Sequence, residues 1–315
     1  MSYKFGPDEP LDQALGRISH EQLDRAIDEL TKGIKRNPVR AVHTARKAIK
    51  KERSLLRLYG EALPAAQRRR ANRELRTTAR SLSGTRDADV MVATIDQLSE
   101  RFVGQLPATT FEALRSKFAA PNGGGSAPTG QAVEGLRAVR SQAASWTLKR
   151  DEFKAVVKGV TRSYRRGRKA FARAQASRSM EDLHAWRKRV KDLWYQERLL
   201  APLAGPAVRG HAKDAHTLAD LLGDDHDLGV LEEQMTSPAM ALPVDLDAVR
   251  GLIGHRRDEL QTEAMHVGRR LYAESPKAFR RRTSRSLRAG QASAAAPRER
   301  DPAELAALTR APVHS

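Results

Sequence analysis

The sequence contains no cysteine in its 315 residues, so disulfide bonds, zinc–thiolate sites and thiol catalysis are excluded. It also lacks an uncharged apolar run long enough to span a membrane, and its first residues lack the pattern of a signal peptide. No run alternates β-branched and polar residues as a strand would. We therefore expect an all-α, cytoplasmic protein without a membrane partner.

Acidic residues are too few to balance the basic ones. The chain has 57 Lys and Arg against 38 Asp and Glu, which gives a net charge of +19 and a pI near 10.6. Such an excess points to a polyanionic partner, either nucleic acid, an anionic membrane or a condensed phosphate polymer. The 40% of hydrophobic residues are enough for helical cores of ordinary size, in one large domain or two smaller ones.

Helical periodicity covers most of the chain, with proline at many of the proposed boundaries. We predict helices over 11–35, 39–60, 65–82, 86–101, 109–119, 131–175 with a break near 150, 180–201, 206–222, 226–236, 245–273 and a short piece after 276. Residues 121–130, rich in Gly and Pro, are predicted to be a flexible loop. The basic segment 284–315 is predicted to be a disordered tail.

A basic helical pattern occurs twice, at residues 42–58 and, 141 residues later, at 183–199. Each copy begins with a histidine that is followed by cations at +3, +4, +7 and +14; these are His43, Arg46, Lys47, Lys50 and Arg57, and then His184, Arg187, Lys188, Lys191 and Arg198. On an α-helix these offsets form one stripe, and apolar residues fall mostly on the opposite side. A fixed period indicates two similar units.

The two stripes are not balanced by acidic residues. Opposite charges four residues apart normally stabilise such a face, yet Glu52 and Glu197 both fall away from it. The stripes could be ordinary solvated surface. However, the repulsion between like charges occurs in both copies, which favours the interpretation that an anion binds there and neutralises them.

A second pair of segments matches at an offset of 140, because residues 81–90 align with residues 221–230. Both are predicted to be turns in which an aspartate, Asp87 or Asp227, begins a new helix as a cap. Asp224, Asp225, His226 and Asp227 could alternatively hold a divalent metal. The counterpart of this cluster lacks the ligands, so we predict no metal site.

The ordered set of motifs resembles the conserved histidine α-helical domain (CHAD) family over about residues 10–283. The resemblance rests on the two His-x-x-Arg-Lys helices, on SGTRDADV (83–90) and GDDHDLGV (223–230), and on YRRGR (164–168) and HVGRRLYAESPKAF (266–279). It implies two four-helix bundles related by an approximate two-fold axis, in which the histidine-bearing helices line a central basic channel. We accordingly divide the chain into a first repeat (1–148), a second repeat (149–283) and the tail (284–315).

The resemblance also implies the ligand, inorganic polyphosphate, and association with polyphosphate granules. Family members often follow a triphosphate-processing domain, but no Glu-x-Glu-x-Lys motif is present, so we expect that catalytic partner to be absent from this chain. We predict non-catalytic binding, with no catalytic residue and no cofactor.

Arginines that can fork onto two oxygens are predicted to position the polymer, and lysines to add charge. The first group is Arg46, Arg57, Arg187 and Arg198, and the second is Lys47, Lys50, Lys51, Lys188 and Lys191. His43 and His184 are expected to be neutral near pH 7 because cations surround them. Arg165 and Arg168 are further candidates, and Arg73, Arg76, Lys213 and His216 are weaker ones. Asp192 replaces the counterpart of Lys51, so the first repeat is expected to bind more strongly.

Three other functions fit parts of the sequence. The charge would bind DNA or RNA nonspecifically in vitro, although the 5% of aromatic residues offer little base stacking. The Asp224–Asp227 cluster could support a metal-dependent phosphohydrolase. A structural granule-surface protein could be tethered by the tail cations, which include Arg280, Arg281, Arg282, Arg285 and Arg288.

Overall fold

The computed structural model describes residues 3–6, 9–82, 87–119, 129–148, 151–237 and 242–295, and these residues form helices and no strand. The all-α prediction is therefore confirmed. The helices are α1 (Leu11–Thr31), α2 (Pro38–Tyr59), α3 (Ala65–Ser81), α4 (Asp87–Arg101), α5 (Ala108–Ala119), α6 (Thr129–Ala143), α7 (Glu152–Ser177), α8 (Met180–Met235), α9 (Leu246–Leu271) and α10 (Pro276–Ala295). None of these helices is long and apolar enough to cross a membrane.

Local capping residues set several helix starts. Asn37 Oδ1 accepts the backbone N–H of Arg40 at 2.9 Å, and Pro38 occupies the first helical position of α2, where no N–H is needed. The side chains of Asp151 and Ser179 cap α7 and α8 in the same way. The starts of the two basic helices are thus fixed by nearby sequence.

Helix α8 is kinked at Gly205, whose backbone has φ 74° and ψ −167°. A side chain disfavours this positive φ, and Pro202 and Pro206 flank the glycine. The kink separates an N-terminal segment (180–204), which carries the second basic stripe, from a C-terminal segment (206–235).

The main hydrophobic core joins helices from both halves of the chain. Helix α1 packs against α2 and α6, and α6 packs against α3, while α8 packs against α7, α9 and α10. Helix α2 contacts both α7 and α8 and so links the two sets. Trp186, Tyr59, Tyr164 and Phe5 are among the largest side chains that this core buries completely.

A second, smaller core forms where α4 and α5 meet the end of α8 and the beginning of α9. Ile95, Leu114, Leu231 and Ile253 are fully buried there. Burial of apolar surface between these four helices holds this part of the protein to the remainder.

The predicted turn at 221–230 is wrong, because residues 206–235 form one continuous helical segment. Asp227 therefore does not begin a helix. The glycines that suggested a turn instead permit close contact: a Cβ on Gly223 would lie 2.9 Å from Arg187 Nη2, and a Cβ on Gly229 would lie 3.2 Å from Met180. Residues 83–86 of the matching segment lie outside the described residues.

The prediction of a disordered tail is wrong for residues 284–295, which belong to α10. Leu287 is 3% exposed, and a Cβ on Gly290 would lie 1.6 Å from the carbonyl oxygen of Leu203, so α10 packs closely on α8. Residues 296–315 lie outside the described residues. So does the predicted loop at 121–130, except for its last two residues, which begin α6.

Candidate anion-binding site

The two basic helices contact each other directly. We call the contact of α2 with residues 180–204 of α8 the seam. Ser54 Oγ donates a hydrogen bond to the carbonyl oxygen of Asp192 at 3.1 Å, and Gln196 Nε2 donates to the carbonyl oxygen of Ser54 at 3.2 Å. The predicted apolar faces are buried; their residues are Val42, Ala45, Ile49 and Leu56 on α2, and Leu183, Trp186, Val190 and Leu200 on α8. The two basic helices are therefore joined by hydrogen bonds, and the apolar face of each is packed into the interior of the protein.

At one end of the seam, His184 stacks on His226 with ring centroids 4.1 Å apart and an interplanar angle of 28°. Burial and the nearby charges of His226, Lys188, Arg187 and Lys50 lower the pKa of His184 to about 4. Lys50 belongs to α2, so cations of both copies converge on this histidine. The expected neutral state near pH 7 is therefore present for His184, although burial contributes more to it than the cations do.

His226 shares this environment, and burial followed by the charge of Arg187 lowers its pKa as well. The Nδ1 atoms of His184 and His226 are buried, and neither has a hydrogen-bond partner among the described residues. The pair is thus two neutral imidazoles within a cluster of cations. The sequence pattern predicts His226 within a turn and gives no sign of its contact with the basic helix.

In the middle of the seam, Lys51 is only 7% exposed. Its Nζ lies 4.9 Å from the ring centroid of Tyr3, whose hydroxyl donates to the Lys51 carbonyl oxygen at 3.2 Å. Burial, together with the charges of Arg198, Arg25 and Lys47, lowers the pKa of Lys51 to about 8. Helices α1, α2 and α8 therefore each supply a cation to one buried lysine, and Arg25 is a contributor that the sequence analysis did not find.

The residues that correspond to these by the 141-residue offset are also near one another, but their central residue is acidic. The two sets are Lys51, Arg198 and Arg25, and Asp192, Arg57 and Arg166. Arg57 Nη2 donates to Asp192 Oδ1, and the side chains are 29% and 13% exposed. Asp192 therefore neutralises an arginine of the first copy, whereas the sequence analysis counted its cost against the second copy alone.

The CHAD domain family model matches residues 17–236 of this chain. The chain belongs to the CHAD family. CHAD domains in general bind polyphosphate and are generally non-catalytic. Among curated proteins, none is similar enough to this chain to count as a match.

The CHAD match includes both histidine-bearing helices and ends at the end of α8. Helices α9 and α10 lie beyond it, and so does the segment 266–279 that contributed to the resemblance.

Two predicted arginines of the CHAD stripes also hold the fold. Arg46 Nη1 donates to the carbonyl oxygen of Leu82 at 2.6 Å, which ties α2 to the end of α3. The guanidinium of Arg187 lies against Gly223, and any side chain at position 223 would displace it. Both arginines are only partly exposed, whereas His43, Lys47, Lys50, Lys188 and Arg198 are exposed and Lys191 is partly exposed.

The arginine cluster around Arg57 extends onto α3. Burial, followed by the charges of Arg57, Arg76 and Arg80, lowers the pKa of Arg53, and the charge of Asp192 opposes this shift. Arg53 Nε donates a hydrogen bond to Asn72 Oδ1 at 3.0 Å. Arg76, a weaker candidate, therefore lies near the seam. Arg53 was missed because Trp194 stands at its position in the other copy of the basic pattern, so periodicity could not reveal it.

The remaining candidates lie at the edge of the seam or beyond it. His216 stacks on Trp194 at 4.2 Å and pairs with Asp220 at 3.4 Å. Arg73 and Lys213 are exposed on α3 and α8. Arg165 lines a separate groove between α7 and α10, and Arg168 is an exposed residue of α7 near Tyr164.

The acidic cluster of α8 is not arranged as a metal site. Asp225 is buried and accepts hydrogen bonds from Arg257 Nε at 3.2 Å and Gln261 Nε2 at 2.8 Å. Within the described part of the chain, no three His, Asp or Glu side chains are grouped to hold a metal ion. The geometry of these residues therefore gives no support to the metal-dependent phosphohydrolase.

Proposed function

We propose that this CHAD protein binds inorganic polyphosphate along the seam without catalysing its breakdown. In this proposal residues 1–148 and 149–283 act as two repeats, arranged as four-helix bundles about an approximate two-fold axis. Their basic helices line one central channel. The positions that recur after 141 residues support this arrangement, because equivalent residues meet across the seam.

The environment of Lys51 carries the proposal. A lysine that is 7% exposed among three other cations opposes folding, because both burial and like charge disfavour its protonated form. A polyanion in the seam would supply the missing counter-charge. The repulsion then becomes binding free energy for a ligand of high charge density.

The shape of the site suits a linear phosphate chain. A helix places one side chain per turn on a given face, about 5.4 Å apart, so each stripe can contact an extended polymer at several points. Arginines can hold two phosphate oxygens each, and lysines act as mobile point charges. The neutral rings of His184 and His226 can donate N–H groups to the chain or gain a proton from solvent when it binds.

Nucleic acid remains the alternative ligand because the same cations would release counterions from DNA or RNA. Base recognition on RNA or single strands relies on exposed aromatic faces. Trp194, a partly exposed aromatic residue within the second basic pattern, is already stacked on Tyr195 at 4.7 Å and on His216 at 4.2 Å. The seam therefore favours a ligand without bases.

The test is calorimetric titration of long-chain polyphosphate at near-physiological salt, with wild type and a Lys50→Glu/Lys188→Glu variant. Both lysines are exposed, so the substitutions preserve the core. The two substitutions lower the net charge of the seam by four units. If each unit contributes about 0.5 kcal/mol to the binding free energy, polyphosphate should bind about thirtyfold more weakly.

The matched control is Lys117→Glu/Arg137→Glu, which makes the same charge change on α5 and α6, helices that contribute no residue to the seam. Wild-type affinity in the control, and binding that excess duplex DNA does not displace, would support a dedicated polyphosphate site. Equal losses in both variants, or ready displacement by DNA, would contradict it.

We also propose that binding in the seam directs the protein to polyphosphate granules. A fluorescent fusion of the full chain should concentrate on granules in cells that accumulate polyphosphate, and the Lys50→Glu/Lys188→Glu variant should spread evenly. Retention of that variant on granules would instead favour tethering by the basic C-terminal part.

A further inference from the structure

A second basic surface lies between α7 and α10. Its α7 side belongs to the matched CHAD region, and its α10 side lies beyond that region. It is a groove of about 920 Å³. Nine of its lining residues are cationic, and these are Lys154, Lys158, Arg162, Arg165, Lys277, Arg280, Arg281, Arg285 and Arg288. We call it the α7–α10 groove.

The α10 side of the groove is an unbalanced stripe, like those of the seam. Helix α10 contains no Asp or Glu, and its groove cations extend from Lys277 to Arg288, a rise of about 16 Å along the helix. No ion pair among the described residues involves any of these five cations. On the α7 side, by contrast, Glu61 pairs with Lys158 at 2.5 Å and with Arg162 at 3.3 Å.

The stripe is held on an ordered support. Phe279 and Leu287 bury the opposite face of α10, and Arg282 is paired with Glu274 at 2.8 Å outside the stripe. The guanidinium of Arg288 lies 5.4 Å from the ring centroid of Phe153, so the apolar floor of the groove supports an arginine stem. An anion that binds here does not have to order a flexible tail.

Arg166 on α7 is affected by charges of both the groove and the seam. The charges that affect this arginine include Arg162 and Arg165, which line the groove, and Arg189 and Asp192 on α8. Asp192 is the residue that pairs with Arg57 in the seam. The cations of α7 are therefore close to the charges of both the seam and the groove.

We propose that the α7–α10 groove is a second anion-binding site, which holds the continuation of a polyphosphate chain already bound in the seam. This inference rests on the proposed function. It makes affinity depend on chain length, since a short chain is held by the seam alone and a long chain by both sites. Once the seam holds one part of a long chain, the rest of the chain is present at high effective concentration near the groove. The second site therefore raises the overall affinity without any change in the contacts of the seam.

The test compares two chain lengths with an Arg281→Glu/Arg285→Glu variant, because both arginines are exposed and line the groove. The short chain should be no longer than α2, about 33 Å for its 22 residues, and the long chain should be several times that length. We expect long-chain affinity to fall about tenfold and short-chain affinity to stay within about twofold of wild type. If the glutamate variant unfolds, Arg281→Gln/Arg285→Gln tests the same loss of charge.

Two controls separate failure of this inference from failure of the proposed function. Lys50→Glu/Lys188→Glu should weaken both chain lengths, and Lys117→Glu/Arg137→Glu should weaken neither. If the groove variant binds long chains as wild type does while the seam variant loses them, the second site is wrong and the proposed function stands. If the seam variant keeps both chain lengths, the proposed function itself fails.

Duplex DNA is the competing occupant of the groove. A groove variant that loses DNA binding but keeps long-chain polyphosphate affinity would assign the groove to nucleic acid and overturn the inference. An equal fall for short and long chains would also overturn it, because the groove cations would then act through the general field of the protein.

Discussion

Replacing Asp192 by asparagine should strengthen polyphosphate binding and weaken the fold. Asp192 is the acidic residue that stands at the position of Lys51 in the other repeat, and its carboxylate accepts a hydrogen bond from Arg57. Arg189 lies further away, with its Nη1 3.9 Å from Asp192 Oδ2. Asparagine keeps the shape of the side chain, adds one unit of positive charge to the seam and leaves Arg57 without its acidic partner.

The size of each effect follows from the burial of the pair. A negative charge about 8 Å from a bound phosphate, at an effective dielectric constant of about 40, costs about 1 kcal/mol. Release of Arg57 for the ligand adds about 0.5 kcal/mol, so affinity should rise about tenfold. Asp192 is 13% exposed and Arg57 is 29% exposed, so loss of the pair should lower the free energy of unfolding by about 1 to 3 kcal/mol.

Calorimetric titration with long-chain polyphosphate and urea denaturation would measure the two effects on the same protein. The matched control is Asp96→Asn, which removes the partner of Arg115 between α4 and α5, two helices that contribute no residue to the seam. It should leave polyphosphate affinity unchanged. An Asp192→Asn variant that binds no more tightly than wild type, or no more tightly than this control, would refute the placement of the ligand in the seam.

Three further predictions concern buried groups and close contacts. In wild type, the unfolding free energy should rise between about pH 8 and pH 10, because the folded pKa of Lys51, about 8, lies below the unfolded value of about 10.4. Lys51→Met should remove this rise. Wild type should also take up protons when it binds polyphosphate near pH 8.5, as measured by calorimetry in two buffers. His211→Leu should cost about 3 kcal/mol in urea denaturation near pH 6, because it removes the 2.7 Å partner of buried Glu197. Burial lowers the pKa of His211, but the interactions with Glu197 and with the carbonyl oxygen of Leu271 together raise it above its usual value, so the wild-type contribution is complete below about pH 6.5 and declines as pH passes the folded pKa. Gly159→Ala should lower the melting temperature strongly, because its Cβ would lie 1.8 Å from a backbone oxygen of α2, whereas Gly16→Ala, with no atom within 4 Å, should stabilise by about 0.5 kcal/mol.

Most helices could be predicted because their signals are local. The cap at Asn37 followed by Pro38, and the cap at Ser179, depend on residues within one turn of the helix start. The predicted starts of α2 and α8 are accordingly within one residue of the observed ones.

The two errors in the fold both involve residues whose role depends on distant contacts. Gly223 was interpreted as part of a turn, but it is a point of close approach for Arg187, more than thirty residues away in sequence. The composition of 284–295 suggested disorder, but Leu287 and Gly290 pack on α8. Neither contact leaves a periodic signal in the sequence.

In the candidate site, features that depend on one helix could be predicted from the sequence, and contacts between two helices could not. The offset of 141 residues predicts which cations share a stripe, because that depends only on helical spacing. It does not predict that Lys50 of the first repeat lies near His184 of the second, or that Asp192 pairs with Arg57. These contacts join positions from different copies of the basic pattern, so one substitution in one copy changes a cation of the other. The unequal charge of the two copies is thus a property of the contact between α2 and α8, and a double-mutant cycle between Asp192→Asn and Arg57→Gln should show coupling of about 1 kcal/mol or more in stability.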